Sequence, residues 1–229
     1  MIKELMFTSL LNLFYPHVCV GCNNTLLKAE KFLCSTCIMN LPETNFHLNS
    51  DNALEKIFWG RIPLVQAFSF LFFKKKGTVQ HILHELKYKN NPDLGVFIGN
   101  MFGSKLKDSG IYFDAIAAVP LHPDKLKLRG YNQSLCFAKG LCESMGSKLL
   151  EDTIIRTKAT ETQTRKGRYE RWENVDEVFR VMKPNEVENK SVLLVDDVIT
   201  TGATIEACAS TILDYTNKLS VASIAYAVN

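Results

Sequence analysis

The stretch Val192-Leu193-Leu194-Val195-Asp196-Asp197-Val198-Ile199-Thr200-Thr201-Gly202-Ala203-Thr204 decides how this chain is read. Its first four residues form a continuous apolar run, the pattern of a strand covered on both faces. Two acids stand at the end of that run, and a Thr/Gly-rich turn then leads into a helical pattern from about Thr204 to Tyr215. Backbone N–H groups and hydroxyls of such a turn converge on one point, with the positive end of the helix dipole behind them, which makes a cradle for phosphate. It is not a Walker loop, because G-x4-G-K-[ST] is absent and the turn holds no lysine. Neighbouring side chains on extended backbone point to opposite faces, so Asp196 and Asp197 do not flank one scissile bond as a glycosidase pair does. They suit adjacent ribose hydroxyls, reached directly or through magnesium-bound water. The plain alternative is a buried strand with a capped helix and no ligand, in which two unpaired carboxylates cost stability with no local offset.

Outward from this stretch, apolar runs and helical patterns alternate. Strands are predicted over 64–73, 114–119, 153–156, 178–181, 191–195 and 219–227, and helices over 77–88, 94–106 and 132–145. Such alternation implies an α/β fold, a mostly parallel sheet with helices on both faces. In such sheets ligands bind outside the carboxyl ends of the strands. A second strand end carries Pro120-Leu121-His122-Pro123 followed by Lys125, Lys127 and Arg129, turn amides and cations suited to a pyrophosphate. An ordinary proline-rich turn with solvated lysines is the alternative. Lys87, His81 and His84 fall on a predicted helix and could face the site, although exposed helix polarity explains them as well. Between Arg156 and Val178, Lys158, Arg165, Lys166, Arg168 and Arg171 sit in a segment with little apolar periodicity, either a lid or a solvated loop.

Residues 1–60 are organised around cysteines and 61–229 around the strand-helix alternation, so the domain boundary is placed near Gly60. Cys19-x2-Cys22 and Cys34-x2-Cys37 match a tetrahedral four-thiolate metal site, with Gly21 easing the first turn. Zinc fits best; iron in the same geometry or two disulfides are the other readings. The remaining cysteines, Cys136, Cys142 and Cys208, read as core thiols. Lys28, Lys31, Lys74 to Lys76, Lys87 and Lys89 could extend a zinc ribbon into a nucleic-acid path, or be solvated lysines only.

A net charge of +3 is too small to make nucleic-acid binding the default. The apolar stretch Leu5 to Tyr15 is interrupted by Asn12, with Glu4 just ahead of it and no small-residue cleavage site behind, so it reads as an amphipathic helix. No run reaches the roughly 18 apolar residues of a membrane span, and the expected location is the cytoplasm.

VLLVDDVITTGAT resembles the thirteen-residue motif of type I phosphoribosyltransferases at every defining position. The string VPLHPDKLKLRGYNQSLCFAKGL, the segment Gln163 to Phe179, the N-terminal cysteines and Leu86-Lys87-Tyr88 are similar to the ComF family of competence-associated proteins. The resemblance implies a type I phosphoribosyltransferase fold preceded by a four-Cys zinc module. It implies binding of 5-phosphoribosyl-1-pyrophosphate with magnesium, Asp196 and Asp197 on the ribose, and Thr200, Thr201, Gly202, Ala203 and Thr204 on the 5-phosphate. Pro120, Leu121, His122 and Arg129 would face the pyrophosphate, and Arg165 and Arg171 would act as catalytic cations of a closing basic loop. It further implies a link to DNA uptake, with single-stranded DNA and uptake proteins as partners. The function is then phosphoribosyl transfer to an unidentified nitrogenous acceptor, or DNA handling regulated through the same pocket without turnover. Thr200 replaces the acidic base of purine-salvage enzymes, which disfavours purine acceptors. Ile2 stands where glutaminase relatives have a cysteine.

Overall fold

The computed structural model describes residues 17–157 and 178–227; the helix predicted around Leu5 to Tyr15 lies outside them. Five parallel strands make the central sheet in the order β1 (Leu71–Phe73), β7 (Leu219–Ala227), β6 (Val192–Ile199), β2 (Ala115–Ala118) and β3 (Lys148–Leu150). The two longest strands are central neighbours, and Val192 to Val195 are fully buried, as their unbroken apolar run demands. β6 runs on through the acids, so that Asp196 pairs in register with Ser223. A separate antiparallel pair, β4 (Ile154–Arg156) with β5 (Phe179–Val181), stands beside the sheet.

Helices cover both faces, as expected for an α/β domain. One face packs α3 (Thr78–Tyr88), α4 (Pro92–Asp108) and α6 (Gln133–Met145), with Leu86, Ile98, Phe102, Phe137 and Leu141 meeting Leu193 and Val195. The other packs α2 (Ala53–Phe58) and α7 (Ala203–Leu213), with Leu54, Phe58, Ile205 and Cys208 meeting Leu194 and Val221. The segment before residue 60, which also contains the short helix α1 (Ser35–Met39), thus serves both cores, since Cys19 and Leu33 join the first and Leu54 and Phe58 the second.

Gly95, Gly99 and Gly103, four residues apart on α4, allow that helix to lie almost in contact with α6. A Cβ on Gly99 would stand 2.3 Å from the Phe137 carbonyl oxygen, and one on Gly140 2.0 Å from the Val96 carbonyl oxygen. Neither position tolerates a side chain without separating the helices. The sequence reading missed this crossing, although its four-residue glycine spacing was visible.

Three elements differ from expectation. The strand predicted over 64–73 is regular only from Leu71; before it the chain runs along β7 through single bonds such as Val65 N–H to the Leu219 carbonyl (2.8 Å). Residues read as a cationic turn form a short helix, α5 (Pro123–Arg129). His122 caps it, Pro123 presets its first turn, and Gly130 ends it at φ +78°. The short edge strand β3 carried no sequence signal of its own.

Candidate functional site

Asp196 and Asp197 stand at the carboxyl end of β6, between the start of α6 and the end of α3. The Asp196 carboxylate accepts from Ser134 Oγ (2.9 Å) and from the Asp197 amide (2.8 Å). Ser134 is held in place because Asn132 caps α6, accepting from the Ser134 amide at 3.1 Å while its own Nδ2 donates to the Val119 carbonyl at 3.0 Å. One asparagine therefore ties the end of β2 to the helix that contacts the acid. Burial pushes the Asp196 carboxyl up to about 7, reinforced by the charge of Asp197; the Asp197 amide, Ser134 and Lys87 pull the other way.

Asp197 pairs with Lys87, Nζ to Oδ2 2.9 Å. The pair is partly buried, with 23% of the lysine and 17% of the aspartate side chain exposed, and among the described residues Lys87 is the cation that engages the acid. Of Lys87, His81 and His84 on α3, Lys87 reaches the acids. His81 Nδ1 instead lies 2.9 Å from the Gly21 carbonyl, and the His84 ring lies 4.9 Å from that of Tyr88. The spacing of Lys87 from the apolar positions of α3 could not reveal this, because the helix's end is aimed at β6 by tertiary packing alone.

Thr200, Thr201 and Thr204 are exposed around a shallow concavity that also touches Asp196, Gly202 and Ala203. Gly202 stands as the N-cap of α7 at φ +78°, a left-handed conformation natural to glycine. Its Cα face is closed off: a Cβ would lie 2.7 Å from Phe58 Cε1. The turn, its three hydroxyls and the first amides of α7 thus open toward solvent over a fixed floor, a geometry suited to an anion.

The second strand end is built differently from its sequence reading. Pro120, Leu121 and His122 are partly buried, and Lys125 and Lys127 project into solvent. His122 Nδ1 accepts from the Asp124 amide (3.3 Å) and lies 3.5 Å from the Asp124 carboxylate. Arg129 donates to Gln133 Oε1 at 2.8 Å, beside the start of α6. Lys158, Arg165, Lys166, Arg168 and Arg171 lie outside the described residues.

The four paired cysteines come together: the Sγ atoms of Cys19, Cys22, Cys34 and Cys37 all lie within 4.8 Å of one another, and Cys22 and Cys34 are 3.7 Å apart. Four thiolates about 2.3 Å from one ion stand about 3.8 Å apart, so little closing movement is needed for zinc. All seven cysteines are free. The Cys34 amide donates to Cys19 Sγ (3.2 Å) and the Cys37 amide to Cys34 Sγ (3.4 Å), which suits thiolates. Burial raises the Cys19 thiol, but donation from the Cys34, Cys22 and Gly21 backbones outweighs it and brings it down to about 6, whereas burial and the neighbouring cysteines push the Cys37 thiol up. Gly21 contributes by close approach: a Cβ there would stand 2.9 Å from Cys37 Sγ and 2.8 Å from Thr78 Cγ2. The left-handed residue of this turn is Asn23, at φ +60°. Four thiols so arranged can hold a zinc ion. Among the described residues no helix is long and apolar enough to cross a membrane.

The phosphoribosyl transferase domain model matches residues 132–228. This match, with the parallel sheet and the loop after β6, defines a phosphoribosyltransferase-like protein of the type I fold. The "DNA utilization protein YhgH" of Escherichia coli K12 is 26% identical over 202 residues, covering 86% of this chain and 84% of that protein. "Competence protein F" of Haemophilus influenzae is 36% identical over 93 residues, 40% of this chain and 41% of that one. These likenesses support a ComF-family, phosphoribosyltransferase-like protein. Among solved structures, the allosteric regulatory enzyme of purine biosynthesis covers 62% of the chain and is covered over 30% of its own, at 19% identity and a TM-score of 0.44; that likeness carries no argument about the site.

Proposed function

We propose that this protein binds 5-phosphoribosyl-1-pyrophosphate together with magnesium at the end of β6 and transfers its phosphoribosyl group to a nitrogenous acceptor. The observation that carries the reading is the juxtaposition of Asp196, Asp197 and the open amide-rich turn Thr200 to Thr204 on one strand end. The turn and the first amides of α7 receive the 5-phosphate, and the two carboxylates receive the ribose hydroxyls. Magnesium, when bound, supplies charge to the departing pyrophosphate. Lys87 shares Asp197 with the incoming ribose hydroxyls and adds positive charge beside the anion. Pro120, Leu121, His122 and Arg129 are assigned to the pyrophosphate side, with Arg165 and Arg171 as further cations. The bond that breaks joins the anomeric carbon to pyrophosphate, so the chain's task is to orient and to balance charge; no nucleophilic side chain is required.

A second reading is favoured by the names of the relatives, which concern DNA utilisation and competence. The same pocket would then regulate handling of single-stranded DNA in uptake, with or without turnover. Zinc held by the four cysteines stabilises the N-terminal segment in either case.

Calorimetric titration with the sugar pyrophosphate and magnesium tests the proposal. The wild type is expected to bind, and the Asp196→Asn/Asp197→Asn variant to lose at least about tenfold in affinity, about 1.4 kcal/mol. Equal binding by both proteins, or no binding by the folded wild type, refutes it. Release of pyrophosphate with a base panel favours transfer, whereas sugar-phosphate-dependent DNA binding without release favours regulation.

A further inference from the structure

The phosphate turn lacks a cation of its own, yet one touches it from behind. Arg61, in the loop after α2, donates through Nη1 to the Thr201 carbonyl (2.8 Å) and to the Ile57 carbonyl (3.1 Å). Its Nη2 pairs with Glu206, in the first turn of α7, and its guanidinium lies 5.9 Å from the centroid of the Phe58 ring. Phe58 is the ring that closes the floor beneath Gly202. The guanidinium is thus held at four points, although a third of the side chain is exposed (33%).

Two physical consequences follow from that placement. The Thr201 carbonyl and the Gly202 amide are the two ends of one peptide unit, so a cation on the oxygen polarises the unit and strengthens its N–H as a donor. Glu206 presents the second. An acid in the first turn steadies an empty helix N-terminus, but it opposes a phosphate bound at that same end. Arg61 offsets this charge where it lies, on the carbonyl side of the turn, and leaves the concave side open.

We infer that Arg61 is a positioning residue for the sugar phosphate, acting through the Thr201–Gly202 peptide and by neutralising Glu206, without touching the ligand. This rests on the assignment of the turn to the 5-phosphate. The loop after α2 thereby becomes part of the site's machinery, although it lies about 140 residues from the turn it serves.

The test is titration of ribose 5-phosphate into the full chain and into Arg61→Met, Glu206→Gln and the double variant, with melting curves to confirm folding. Arg61→Met is expected to weaken binding roughly tenfold. Glu206→Gln, which removes the opposing charge, is expected to tighten it roughly two- to fivefold. The double variant is expected to recover most of what Arg61→Met loses, which a purely structural role for Arg61 does not predict. Binding by Arg61→Met within about twofold of the wild type overturns the inference, as does a double variant no better than Arg61→Met. If Arg61→Met does not fold, Glu206→Gln decides alone, and unchanged or weaker binding by it overturns the inference. Absence of binding by the wild type removes the phosphate assignment itself, and the inference with it.

Discussion

Replacing Gly202 with alanine should damage this protein for two separable reasons, and the structure supplies a control for each. The first is conformational: Gly202 has φ +78°, where a Cβ costs about 1–2 kcal/mol. The second is steric, since that Cβ would lie 2.7 Å from Phe58 Cε1, 2.9 Å from Cζ and 3.2 Å from Ile57 Cγ2. Phe58 is buried and cannot swing away, so the turn or α2 must shift, at about 1–3 kcal/mol. The sum, about 2–5 kcal/mol, corresponds to a fall in melting temperature of about 4–20 °C for a chain of this size. Gly110 isolates the first contribution, because it has φ +74° and nothing within 4 Å of its Cβ position. Thermal unfolding followed by circular dichroism should show Gly110→Ala losing only the conformational part. Phe58→Leu should cost less stability in the Gly202→Ala background than in the wild type, because it clears the ring edge there. Ribose 5-phosphate binding should fall in Gly202→Ala and stay unchanged in Gly110→Ala. Should the two alanine variants melt within about 2 °C of each other, the close contact between Phe58 and the turn has no energetic weight and the reasoning fails.

Two other outcomes are expected. Because Asp196 holds its proton up to about 7, the fold retains that proton better than the unfolded chain does, and its ionisation costs stability that accumulates from about pH 4 to about pH 7. The free protein should therefore lose stability across that window, and Asp196→Asn should flatten the loss; magnesium-dependent ligand binding, which needs the carboxylate, should strengthen as pH rises through 7. A binding profile that is flat across that pH contradicts the assignment, and Lys87→Met should move its midpoint upward by removing the nearby cation. For the cysteine cluster, purified protein should carry about one zinc per chain by elemental analysis. Chelation or Cys34→Ser should lower the melting temperature by at least about 10 °C, while Cys142→Ser should leave zinc content unchanged.

Much of the candidate site is legible in one strand and its turn. The apolar run Val192 to Val195, bounded by acids and a Thr/Gly turn, suits a buried central strand, and strand ends are where ligands bind in a parallel sheet. The pairing of Cys19-x2-Cys22 with Cys34-x2-Cys37 likewise brought four sulfurs together, because ligand spacing within each knuckle is a local property. In both cases the chemistry lies within a few consecutive residues.

What only the folded chain decided are the partners that arrive from far away. Ser134 meets Asp196 because glycines on α4 let α6 sit close and Asn132 pins its start. Lys87 meets Asp197 because α3 ends beside β6, and Arg61 meets Thr201 because Phe58 anchors α2 under the turn. Each of these side chains looks like an ordinary polar residue in its own local pattern. Sequence periodicity reports which face of an element is buried, but the point toward which a polar end is aimed depends on packing between elements separated by scores of residues, and no local rule encodes that.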